Sequence, residues 1–483
     1  MPVQSKRETR SLVRQSWQRT AALSSARTPP RQRGAALMVV LVVVIVGSAG
    51  LLVSSINRSW IQAEHDKKSF EALARAKEAL VGYAVAVNLT GACANTASIT
   101  CRRPGDLPCP DSNNDGTADT PCSGNALGRL PWKTLGLPDL RDGSDERLWY
   151  AVSARFKNNP RTICTNSVQT SCLNSDTPGS ITIRANDGTI INDGGNGTGV
   201  VATLFAPGNV LQRQDGTQQV RSGLGINTAG NYLDIATVGG TTEDNANFTD
   251  GSSTNGFIQG GLKDSDGNAI VNDQLLAITQ DNIMQVTQKR VAAEVKNCLV
   301  EYAAMPQNQG LPPNLGYYPW ATLRTAGPPV VYNDSDRREF GRIPDLLFEE
   351  TCDDTGGSNC DATQSGGMSN QWGPTCTLAN SNWWVNWKEL VFYGFAHGFR
   401  PHDLTHNHAC SNSACLVVNP PSSAADKSFV IIVAGKQIGT QVRSSNTDKS
   451  NFANYLEGQN SDGLTPFEKS PLSATFNDWV VFY

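Results

Sequence analysis

Residues 35–56 read AALMVVLVVVIVGSAGLLVSSI, 22 residues without a charge. As a helix this run would extend about 33 Å, enough for the roughly 30 Å hydrocarbon core of a bilayer. Arg31 and Arg33 stand directly before it, and residues 1–34 hold eight Lys/Arg against one acid. The rest of the chain holds 32 Lys/Arg and 43 Asp/Glu. A basic leader, an apolar run and an acidic body predict a transmembrane helix over 35–56, with the leader cytoplasmic and the body outside. A cleaved secretory signal would have a shorter apolar core, about 7–15 residues, ending at a small-residue site. The acidic body also argues against general nucleic-acid binding.

The helix is expected to continue past the apolar run. Trp60, Phe70, Leu73, Lys77, Leu80, Val81 and Ala84 fall on a helical period, and Lys67, Lys68, Glu71, Arg75 and Glu78 fill the other faces. A helix apolar in its first half and amphipathic in its second is the expected spine.

Arg31-Gln32-Arg33-Gly34, followed by Ala35-Ala36-Leu37-Met38-Val39, resembles the processing site of type IV prepilins and type II secretion pseudopilins. The resemblance implies cleavage between Gly34 and Ala35 by a prepilin peptidase and N-methylation of Ala35. It also implies burial of Leu37, Val39, Leu41 and Ile45 in a bacterial inner membrane, crossed once, with the C-terminal body periplasmic or extracellular. Its partners would be the membrane and other pilin-like subunits. Most members of the family carry Glu at the fifth mature position, where this chain has Val39. A carboxylate in lipid is costly unless paired, and in the family it pairs with a neighbouring subunit's amine. Minor, tip-type subunits often lack that Glu and often begin Gly-Ala-Ala-Leu, as here.

Behind the helix the chain matches itself. Lys77-Glu-Ala-Leu-Val-Gly-Tyr-Ala84 returns as Lys296-Asn-Cys-Leu-Val-Glu-Tyr-Ala303, and Leu130-Pro-Trp-Lys-Thr-Leu135 as Tyr318-Pro-Trp-Ala-Thr-Leu323. Trp149-Tyr-Ala-Val152 returns as Phe392-Tyr-Gly-Phe395, Asn231-Tyr-Leu-Asp234 as Asn454-Tyr-Leu-Glu457, and Val271-Asn-Asp273 as Phe476-Asn-Asp478. A repeated order of motifs implies a repeated structural unit. Strands are expected at 148–152, 199–205 and 273–279, answered by 390–395, 429–433 and 479–483. The expected fold class is α+β: a transmembrane spine helix, then two tandem pilin-like domains of helix plus antiparallel sheet. The boundaries are 1–34 for a cleaved leader, 35–56 for the membrane helix, 57–285 and 286–483 for the two domains.

All twelve cysteines follow the apolar run. The close pairs Cys93/Cys101, Cys109/Cys122, Cys164/Cys172, Cys352/Cys360 and Cys410/Cys415 are disulfide candidates in an oxidising compartment. Asp111, Asn113, Asp115, Thr117 (through its carbonyl) and Asp119 form an alternating acidic loop with Gly116 at the sixth position, the pattern of a calcium site. The bidentate acid usual at the twelfth position is replaced by Cys122. Asp264-Ser-Asp266-Gly267-Asn268 is a weaker version. His397, His402, His406 and His408 crowd near Cys410 and Cys415, which suits zinc only if the cysteines are not bonded to each other. Trp383, Trp384 and Trp387 fit either a sugar- or partner-binding surface or, preferably, the core. No nucleophile elbow, phosphate loop or paired catalytic set is visible. The expectation is a non-enzymatic minor pilin or pseudopilin-like subunit of a type IV pilus or type II secretion-like assembly. The alternative is an anchored adhesin or substrate-binding receptor.

Overall fold

A computed structural model of the chain describes residues 35–89, 102–122, 124–158, 164, 172–309, 316–324, 332–347, 369–378, 382–401, 410 and 415–483. Residues 1–62 and 63–483 form two compact units. Helix α1, Ala35–Val85, is 51 residues long. In the second unit it buries Ser69, Ala72, Leu73, Ala76, Leu80 and Ala84, a stripe at three- and four-residue spacing. Phe70, expected on that stripe, is 60% exposed.

The membrane helix expected at 35–56 is corrected: among the described residues no helix is long and apolar enough to cross a membrane. From Glu64 onward α1 carries Asp66, Lys67, Lys68, Glu71, Arg75, Lys77 and Glu78, too many charges for lipid. The single-pass inner-membrane localisation falls with the span.

The fold class is corrected as well. The chain is mixed α/β, with six small sheets among the described residues, nearly all antiparallel. The first four-stranded sheet runs Ala126–Arg129, Trp149–Val152, Ala202–Ala206, Gln274–Ile278 in spatial order. The second runs Phe340–Arg342, Val391–Phe395, Phe429–Val433, Trp479–Phe482. Helix α2, Gln280–Ala304, begins at a Thr279–Asn282 capping box directly after the first sheet's last strand.

Each sheet is covered on both faces, which explains why its two central strands are buried at every position. Tyr150, Val152, Leu204 and Ala206 join Leu73 and Leu80 of α1, Val291, Val295 and Leu299 of α2, and Tyr393, Ile431 and Val433 of the second sheet in one core. The opposite face of the first sheet, Trp149, Ala151 and Phe205, packs on Tyr232, Leu233, Phe248 and Phe257. The opposite face of the second, Phe392, Val430 and Ile432, packs on Tyr455, Leu456 and Phe467. The sharing of one core by both sheets and both helices replaces the expected pair of helix-on-sheet domains behind a spine.

Register fixes which residues of the two sheets correspond. Gly128 and Arg129 oppose Tyr150 and Trp149; Gly341 and Arg342 oppose Tyr393 and Phe392. Arg129 lies over the rings of Trp149 and Tyr232, at 4.8 and 4.2 Å. Arg342 lies over Phe392 and Tyr455, at 4.6 and 4.8 Å. The expected match of Trp132 with Trp320 is wrong. Leu107 N donates to Phe156 O and Tyr318 N to Phe399 O, and Asp111 and Thr322 exchange paired backbone bonds with Arg129 and Arg342. Thus Tyr318-Pro-Trp320 occupies the place of Leu107-Pro-Cys109, and Leu130-Pro131 is answered by Ile343-Pro344.

Candidate functional site

Two surfaces and one buried network are the candidates. The first surface is on α1. Leu41, Val42, Val43, Val44 and Ile45 are 55–64% exposed, Trp60 is 75% and Ile61 58% exposed. Burying such side chains is worth about 1.5–3 kcal/mol each, so this stretch of helix is suited to packing against apolar partners. Gly34 and residues before it lie outside the described residues, and Ala35 is the first residue of α1.

The Asp111 loop forms as a compact turn. Asp111 is buried, and its carboxylate accepts from Asn114 N at 2.6 Å, Asp115 N at 3.3 Å and Gly116 N at 2.7 Å. Asn114 and Gly116 have φ of 67° and 87°, which turns these amides inward. A Cβ on Gly116 would lie 2.6 Å from the Trp132 ring, so glycine is required there. Asp115 accepts from Thr117 N at 2.7 Å and Asn113 Nδ2 at 3.1 Å, and Asp119 from Ser112 N at 3.2 Å. The bond to Thr117 N, then that from Asn113, holds the Asp115 carboxyl below the usual range. A cation here would be held by Asp111, Asn113, Asp115, Asp119 and the Thr117 carbonyl, each of the three acids already accepting backbone amides. Among the described residues no group of three or more His, Cys, Asp or Glu is arranged for a metal ion. Asp264 likewise accepts from Asp266 N and Asn268 N, closing the turn between Leu262–Lys263 and Ala269–Val271.

Cys109–Cys122, Cys164–Cys172 and Cys410–Cys415 are disulfides; Cys93, Cys101, Cys352 and Cys360 lie outside the described residues. A fourth disulfide, Cys298–Cys376, ties α2 to a segment 78 residues away. Its partners are too far apart for spacing to suggest the pair. His397 is exposed and contacts Glu339; His402, His406 and His408 lie outside the described residues. Trp383, Trp384 and Trp387 are buried.

The buried network occurs twice. Arg221 donates from Nε to Asn231 O (3.2 Å), from Nη1 to Gly208 O (2.6 Å), and from Nη2 to Gln219 Oε1 (2.8 Å) and Tyr232 O (3.3 Å). Arg443 does the same to Asn454 O (2.6 Å), Gly435 O (3.0 Å), Gln441 Oε1 (3.1 Å) and Tyr455 O (3.4 Å). Gln219 Nε2 then donates to Asp234, and Gln441 Nε2 to Glu457. Each of these acids faces a second one. Asp234 accepts from Asn272 N and Asp273 N, while Asp273 accepts from Asp234 N and Asn245 Nδ2. Glu457 accepts from Asn477 N and Asp478 N, while Asp478 accepts from Glu457 N and Asn460 Nδ2.

No family model, curated protein or solved structure matches this chain.

The carboxyl pairs are tuned by burial. Desolvation pushes Asp234 up to about 6, against the amides of Asn272 and Asp273 that favour its charged form. Burial, then the Asp234 charge, raises Asp273 well above the usual carboxylate range. Burial and Glu457 do the same to Asp478. With Asp273 fully buried and Asp234 and Asp478 at 2% exposure, no substrate reaches these groups. They fasten the loop after each sheet's third strand to its fourth. The sequence reading found Asn-Tyr-Leu-Asp/Glu and Asn-Asp but missed the arginines. The repeated Gln219-Val-Arg221-Ser222 and Gln441-Val-Arg443-Ser444 were the available signal.

Proposed function

We propose that this chain is a non-enzymatic, pilin-like structural subunit that joins other pilin-like subunits through the apolar side chains of α1. The observation that carries the reading is the 51-residue helix itself. It offers exposed Leu41 to Ile45, Trp60 and Ile61, and from Ser69 onward its inner stripe is built into the core of residues 63–483. A helix fastened at one end and apolar at the other is suited to a shared helical bundle between subunits, where knobs and holes replace water. The Arg-Gln-Arg-Gly/Ala-Ala-Leu motif supports the same reading, since a free Ala35 would begin such a helix.

The test is mass spectrometry of the chain isolated from cells that contain a prepilin peptidase. The expected product begins at N-methylated Ala35. An intact leader in those cells, with the peptidase active on a control substrate, overturns the proposal.

A further inference from the structure

The two halves part company in a groove where their scaffolds otherwise coincide. In the first half, the turn Asp142-Gly143-Ser144-Asp145 fills the space between α1 and the loop after Ala202–Ala206. Gly143 N donates to Ser69 Oγ at 2.9 Å, and Asp142 accepts from Gly208 N at 2.8 Å. Lys68 lies 3.8 Å from Asp145. Gly143 comes so close to α1 that a Cβ on it would stand 2.5 Å from His65 Cα. Only glycine allows that approach.

The helix match of Lys77 to Lys296 sets His65 and Ser69 against Met284 and Gln288. The hydrogen bonds from Arg221 and Arg443 set Gly208 against Gly435. Met284, Gln288 and Gly435 line an open cavity of about 410 Å³. The segment that would fill it is engaged elsewhere. In the second half the residues ahead of Val391–Phe395 form α3, Trp384–Trp387. There, Asn386 accepts from Leu173 N at 2.8 Å and Asn174 Nδ2 at 2.7 Å. The next residues of that first-half segment take over part of the plug. Asp176 accepts from Gln437 N at 3.2 Å and pairs with Arg443 at 2.8 Å, and Ser175 lines one wall. The remainder stays open.

We infer that this groove binds a turn of a partner polypeptide, with a glycine at the point of closest approach and an acidic residue next to it. The first half displays the complex such a turn would make, with Asp142-Gly143 as the bound element. The second half keeps the matching receptor. Met284 forms an apolar floor, Gln285 is exposed for backbone hydrogen bonds, and Lys436, 42% exposed beside Asp281 at 2.8 Å, places a cation at the rim. The volume lies within the roughly 300–1,000 Å³ of pockets that hold compact ligands. The inference does not depend on how the N-terminus is processed.

The probe is a fluorescently labelled peptide with the sequence of residues 139–147, Asp-Leu-Arg-Asp-Gly-Ser-Asp-Glu-Arg, titrated with the full chain by anisotropy. Saturable binding is expected. Ala474→Trp, placed at an exposed position of the groove wall, should weaken it at least tenfold with unchanged thermal unfolding. Gln285→Trp, from the helix side, should do the same, as should valine for glycine in the peptide. Lys436→Gln should weaken binding several-fold, because it leaves Asp281 unneutralised beside the acidic peptide, and added salt should then restore part of the affinity. Absence of saturation up to about 5 mM, or an affinity that both tryptophan variants leave unchanged, overturns the inference.

Discussion

Replacing Asp273 and Asp478 with asparagine together tests the paired carboxyls where the structure makes a signed claim. In the first pair Asp234 is raised to about 6, from about 3.9 in an unfolded chain. Between those two values the folded protein holds a proton that the unfolded chain has released. Stability therefore falls as pH rises through this window, by about 1.4 kcal/mol per pH unit per proton. Over the roughly two units from pH 4 to pH 6 that is about 3 kcal/mol for the proton on Asp234. Asparagine at 273 keeps an acceptor for Asp234 N and Asn245 Nδ2. It also puts an amide donor where Asp273 Oδ1 has no partner among the described residues. Asp478 Oδ1 stands in the same position in the second pair. The amide does not titrate, so the variant no longer holds the protons that burial keeps on Asp273 and Asp478 in the folded chain. Urea unfolding of the full chain, followed by tryptophan fluorescence at pH 4.5, 5.5, 6.5 and 7.5, reads the result. The D273N/D478N variant should lose the part of the pH slope that Asp273 and Asp478 carry, keep the roughly 3 kcal/mol that Asp234 contributes between pH 4 and pH 6, and be more stable than the unmutated chain at pH 7.5. Asp273→Leu should instead cost about 2–5 kcal/mol at every pH, because it strands two buried donors. A D273N/D478N variant with the original slope, or with lower stability at pH 7.5, refutes the assignment.

Asp176→Ala should cost about 3–5 kcal/mol, since it leaves the fully buried Arg443 guanidinium without its carboxylate; faster proteolysis near residues 174–177 should accompany the loss in urea. Asp111→Ala should destabilise by about 1–3 kcal/mol per stranded amide group at most, summing well below the full three. Amide exchange at Asn114, Asp115 and Gly116 should accelerate ahead of global unfolding. Replacing both Cys298 and Cys376 with serine opens a loop of 78 residues and should cost about 4–5 kcal/mol. Thermal unfolding unchanged from the unmutated chain would refute a stabilising role for that bond.

Much of the local structure was legible because it rests on local physics. The strands at 148–152, 429–433 and 479–483 were placed within a residue of Trp149–Val152, Phe429–Val433 and Trp479–Phe482, since dense apolar and β-branched runs have few other uses. The edges of 199–205 were less sharp, and the strand begins at Ala202. Motif matching failed at Trp132 and Trp320 because a shared Pro-Trp does not say which backbone groups will pair. The bonds from Leu107 and Tyr318 do. Helical period put Phe70 inside, and the packing left it out in favour of Ala72 and Ala76, whose small side chains let α1 approach its neighbours closely.

The sequence by itself determined the central and last strands of the two larger sheets, the cysteine pairs Cys109–Cys122, Cys164–Cys172 and Cys410–Cys415, and the repeated Asn-Tyr-Leu and Asn-Asp signatures. Each is set by periodicity or by neighbours a few residues away. Only the tertiary structure decided that both sheets and both helices share one core, that Cys298 reaches Cys376, and that Asp234 meets Asp273. It alone decided that Asp142-Gly143 fills a groove whose counterpart beside Met284 stays open. These outcomes depend on contacts between residues tens to hundreds of positions apart. Which of them form is chosen by the packing and hydrogen bonding of the whole chain together, against the entropy of closing each loop.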